Sequence, residues 1–133
     1  MTMTLKQFEV YVQNRPGEVA RVAEALSRNA VNIRGISTDL GSSKPIVRVI
    51  TDDENSARSA LKGADLEFTE REVLIIALSD RPGELAKVTK KLARAGINIG
   101  SLFILGSRVQ AEELAIGVDN LDKAQELLSK YRT

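Results

Sequence analysis

Across 133 residues there is neither cysteine nor histidine, which removes disulfides, thiol nucleophiles, imidazole acid–base chemistry and nearly every transition-metal site. Charge is balanced, with 19 Lys plus Arg against 18 Asp plus Glu, which argues against the clustered basic surface that nucleic-acid binding needs. No apolar run approaches the ~20 residues of a membrane helix and the start lacks an apolar signal segment, so the chain reads as cytoplasmic, with no nucleic-acid or membrane partner.

The run "KQFEVYVQ" places Phe8, Val10 and Val12 on one face and Glu9, Tyr11 and Gln13 on the other, the period of a half-buried strand. The turn Asn14-Arg15-Pro16-Gly17-Glu18 follows. Pro16 suits a first helical position and places the N-cap at Arg15. The helix then runs to about Asn29, with Val19, Val22, Ala23 and Leu26 spaced along its inner face. "NIRGIST" and "IVRVIT" read as a hairpin across the turn "GSSKP". Asp52 or Asp53 caps a second helix with Ala57, Ala60 and Leu61 inward, and "DLEFTE" makes a fourth strand.

From about Arg71 the pattern starts again. "NRPGEVARVAEALSRNAVNI", beginning at Asn14, recurs from Asp80 as "DRPGELAKVTKKLARAGINI". Leu85, Val88, Thr89 and Leu92 form the inner stripe of the second copy's helix, and the N-cap falls at Arg81. Lys87, Lys90, Lys91 and Arg94 read as its solvated face. The order β-α-β-β-α-β gives an α+β fold of two split-βαβ, ferredoxin-like repeats, at residues 1–70 and 71–133. The chain ends after the last helix, so the second repeat lacks its last strand and the edge of "EVLIIALS" is left unpaired, a liability unless something pairs with it. "VLIIAL" and "SLFIL" are apolar on both faces, which predicts a homo-oligomer formed through the second repeat, with packing inside the chain as the alternative.

The two polar turns are the candidate sites. Gly17 and Gly83 let another group approach the backbone, and the bare amides of the following helices suit a carboxylate. The competing reading makes each turn a stiff connector, closed by Asn14 or Asp80 and by Glu18 or Glu84. Asn32 and Asn98, each at the start of the strand after its helix, offer donor and acceptor together, which suits an ammonium beside a carboxylate. The alternative is that Asn32 only ends its helix.

These segments resemble the ACT domain, the small amino-acid-sensing module of regulated biosynthetic enzymes, twice over nearly the whole chain. The resemblance implies repeats joined edge to edge and amino-acid ligands at their junctions. Carried onto this chain, one site uses Asn14, Arg15, Gly17, Glu18 and Val19 with Asn98 and Ile99. The other uses Asp80, Gly83, Glu84 and Leu85 with Asn32 and Ile33. Serine-sensing members carry a histidine two residues before the turn, where this chain has Val12 and Leu78. Asp80 in place of Asn makes the sites unequal, so that either the one at Asn14 binds better or the one at Asp80 holds its ligand in another orientation. The expectation is a non-catalytic sensor without cofactor or metal, acting on a biosynthetic enzyme. Its rival is a ligand-free interaction module.

Overall fold

The computed structural model describes residues 3–108 and 111–131. The chain divides into two compact units, one of Lys6–Arg71 and one of Glu72 onward together with the N-terminal segment through Leu5.

The first unit holds the elements in the order read from the sequence: β1 (Met3–Tyr11), α1 (Glu18–Arg28), β2 (Ile33–Asp39), β3 (Ile46–Thr51), α2 (Glu54–Gly63) and β4 (Glu67–Ser79). β1 and β4 each contribute one end to it, and its strand order is β2-β3-β1-β4. β3 lies antiparallel to both β1 and β2, setting Val49 opposite Phe8 on one side and Ile36 on the other. Side chains join β1 to β4, with Tyr11 hydroxyl 3.2 Å from that of Thr69 and Arg71 Nε 3.8 Å from Glu9. Phe8, Val10, Val22, Leu26, Val47, Val49, Ala57 and Leu61 form the core. Each large apolar side chain buried there stabilises the fold by about 1.5–3 kcal/mol. Asp53 caps α2 by accepting the Ser56 N–H at 3.1 Å. The Arg58 guanidinium then forks onto Glu70 at 2.6 and 2.7 Å, tying α2 to β4.

The second unit continues from Glu72 through α3 (Glu84–Arg94), β5 (Ile99–Arg108), β6 (Ala111–Val118) and α4 (Leu121–Leu127), closing on a 3-10 turn at Ser129–Tyr131. β6 lies antiparallel between β4 and β5. Leu74, Ile76, Leu78, Val88, Leu92, Leu114, Ile116, Ala124 and Leu128 make its core. Among the described residues no strand follows α4, in keeping with the sequence.

One expectation about this unit is corrected. β1 stands on the side of β4 away from β6, and Met3–Leu5 of β1 belongs to this unit. The edge of "EVLIIALS" therefore has a neighbour from the chain's own start. Val73 and Ile75 alternate with core residues of β4 and are buried, as is Ala115 on β6. Among the described residues of this unit the exposed large apolar side chains are Leu85 and Ile104, 42% and 55% accessible. No helix among the described residues is long and apolar enough to cross a membrane.

Candidate functional site

Both polar turns take one backbone path. Gly17 and Gly83 are the N-caps of α1 and α3, in the left-handed region at φ +91° and +88°. A residue there cannot belong to a right-handed helix, so each helix begins at its glutamate. Pro16 and Pro82 stay in the turn, and the expected caps at Arg15 and Arg81 are corrected by two residues. No side chain caps either helix. In α3 the Glu84 N–H reaches the Arg81 carbonyl at 3.4 Å, and the first intrahelical bond runs from Lys87 N–H to the Gly83 carbonyl. The amides of Leu85 and Ala86 are thus left without a side-chain acceptor, the arrangement that favours an anion.

The glutamates, which the competing reading has closing the turns, are held differently in each copy. Glu18 is 4% accessible and accepts the Gln13 backbone N–H at 2.9 Å, with Arg21 at 3.5 Å and Arg15 at 3.7 Å. A carboxylate withdrawn from water is costly unless so paired. Gln13 first, then Arg15 and Arg21, hold its carboxyl below the ordinary glutamate range. Glu84 instead takes Arg81 Nε at 2.6 Å, with Lys87 Nζ at 3.6 Å. Arg81 is the main cause of its lowered pKa. Backbone bonds tighten both turns, Arg15 N–H to Gln13 carbonyl at 3.0 Å and Arg81 N–H to Ser79 carbonyl at 2.9 Å. Asn14 and Asp80 are exposed.

Asn32 and Asn98 sit at the far ends of their helices. Asn32 is exposed and lines a shallow hollow with Ala23, Ser27, Ala30, Val31 and Ile33, a group that contains no residue of the Asn14 turn. It does not end α1. That job falls to Asn29, whose side chain donates to the Ala25 carbonyl at 3.0 Å. Asn98 is held by its backbone, its N–H reaching the Asp119 carboxylate at 3.0 Å and its carbonyl accepting the Asp119 N–H at 3.2 Å. Val19, Ile33 and Ile99 are half-buried against their cores, so packing accounts for their character.

The second turn opens onto a cavity. About 380 Å³ in volume, it is lined by Ser79, Asp80, Arg81, Glu84 and Leu85 from the turn and α3, and by Leu78, Leu102, Phe103, Ile104, Glu112 and Leu114 from the strands. Strand register assembles its floor. Leu78 lies opposite Glu112 across β4 and β6, and Leu114 opposite Ile104 across β6 and β5. Residues two apart on a strand share a face, so these side chains and Leu102 lie on the side that α3 begins to cover. Leu85, expected on the inner stripe with Val88 and Leu92, instead stands over this hollow. Sequence reading missed the strand half of the lining. The signal was present in "SLFIL", where Phe103 and Ile104 stand at the positions of Ser37 and Thr38. Among the described residues no three acidic side chains converge as a metal site.

The comparisons with known proteins bear on this geometry. The family model for the ACT domain pair matches residues 3–132. This chain belongs to the ACT domain pair family. A solved structure of protein BT0572 from Bacteroides thetaiotaomicron is similar at 26% identity and a TM-score of 0.87, covering 97% of this chain and 89% of that one. The regulatory subunit of aspartate kinase from Thermus thermophilus is similar at 16% identity, TM-score 0.67, over 98% and 93% of the two chains. Its counterpart from Thermus flavus aligns at 18% identity, TM-score 0.69, over 97% and 90%. At those identities the aspartate kinase likenesses carry the fold alone. No curated protein sequence matches this ACT pair.

Proposed function

We propose that this ACT domain pair is a non-catalytic regulatory protein that binds a free amino acid, its carboxylate taken by the uncapped first turns of α1 and α3. The observation that carries this reading is the repeated left-handed glycine cap, which leaves first-turn amides without a side-chain acceptor at both Gly17 and Gly83. At Gly83 those amides stand beside a cavity of about 380 Å³, within the range of small-molecule sites. Bound amino acid would bias the conformation, and through it a partner enzyme, by its differential affinity for two states. The shared fold with aspartate kinase regulatory subunits is consistent with an enzyme partner.

A second reading rests on Leu85 and Ile104, exposed apolar side chains beside the same cavity. They suit a ligand-free module that pairs with a second copy or a partner protein. Melting the intact chain with each of the twenty amino acids separates the two. A ligand at a hundred times its Kd adds about 2.7 kcal/mol of stability. A melt that no amino acid moves would leave the interaction module standing.

A further inference from the structure

We infer that the cavity of the second unit selects an amino acid with a branched aliphatic side chain, holding its ammonium by Asp80 and Glu112. This rests on the amino-acid-binding reading and specifies the ligand class. Apolar side chains dominate the lining: Leu78, Leu85, Leu102, Ile104 and Leu114. A small polar ligand would leave that surface wet, whereas a branched chain removes it from water. The volume, at the low end for ligand sites, suits one small molecule rather than a nucleotide.

Charge fixes the orientation. Among the described residues the lining carries three carboxylates and a single cation, and Arg81 is already committed to Glu84 at 2.6 Å. Asp80 and Glu112 therefore remain to meet a positive group, while the Leu85 and Ala86 amides remain for a carboxylate. An ammonium on an apolar body is the positive group that an amino acid supplies there. The first unit lacks these features at matching positions. Asn14 stands for Asp80, Pro45 for Glu112 and Thr38 for Ile104. This inference takes the alternative in which the Asp80 site holds its ligand in its own orientation.

Titration calorimetry of the intact chain tests this with leucine, isoleucine, serine, aspartate and lysine, and with isoamylamine and 4-methylpentanoate as half-ligands. Leucine or isoleucine should bind at least about tenfold more tightly than the polar amino acids, the discrimination available to a few buried methyl groups. Isoamylamine should bind more tightly than 4-methylpentanoate. Ile104→Thr should weaken leucine binding about tenfold, and Asp80→Asn roughly fivefold, as befits a partly exposed ion pair. Both positions are exposed, and urea midpoints check that the variants fold. Tightest binding by serine, aspartate or lysine, or leucine binding unchanged in both variants, overturns the inference while leaving the amino-acid reading in place. If no amino acid binds, that reading falls too.

Discussion

Glu18 accepts the backbone N–H of Gln13 at 2.9 Å, so the residue that opens α1 also closes the turn before it. Its carboxyl lies below the usual value of 4.5, chiefly through that bond. Glu84 is lowered likewise, chiefly by Arg81. A carboxyl depressed in the folded state contributes stability that is complete above its unfolded pKa and is lost as pH falls through the folded one. Urea midpoints should therefore decline between about pH 5 and pH 3. Glu18→Gln should lower the midpoint at neutral pH and flatten the decline. An identical decline in variant and parent would contradict this role.

The C-terminal ends of α1 and α3 are built alike from unlike residues. Val31 N–H reaches back to the Leu26 carbonyl, and Ile97 N–H to that of Leu92, both at 3.0 Å. The residue between must be left-handed, and it is Ala30 at φ +56° in one and Gly96 at +75° in the other. Alanine is strained there by about 1 kcal/mol. Ala30→Gly should therefore stabilise the protein by that amount, raising Tm by roughly 4 °C. Gly96→Ala should lower it comparably, since the added Cβ meets nothing within 4 Å and the cost is conformational alone.

At the N-terminal caps the same test applies to Gly17 and Gly83, where a Cβ also finds open space. Gly83→Ala should cost about 1–2 kcal/mol in urea unfolding, and Gly83→Asn less, because asparagine tolerates the left-handed region. Equal losses for the two substitutions would point to something other than backbone handedness.

Much of the fold was legible because the duplicated segment fixes its own periods. The alternation of Phe8 and Val10, the helical spacing of Val22 and Leu26, and the Asp53 cap all stand where the pattern puts them. The starts of α1 and α3 were not, since "RPGE" offers both a proline that could begin a helix and a glycine that could cap one, and only φ decides between them. Leu85 keeps helical spacing with Val88 and Leu92, but a first-turn side chain can project beyond the sheet that the next turn covers. Met3–Leu5 joins the second unit through a partner distant in sequence, which no local period records. The cavity was hidden for the same reason, since Leu78, Glu112 and Leu114 meet only through register. The turn residues that line the cavity were legible, while the strand residues that complete its lining were not.

The most direct test is a backbone-amide and methyl NMR titration of the intact chain with leucine. Saturable shifts of the Leu85 and Ala86 amides together with the Ile104 methyls are the predicted result. Leucine that leaves those signals in place, or that moves only signals remote from the Asp80 turn, would contradict the account.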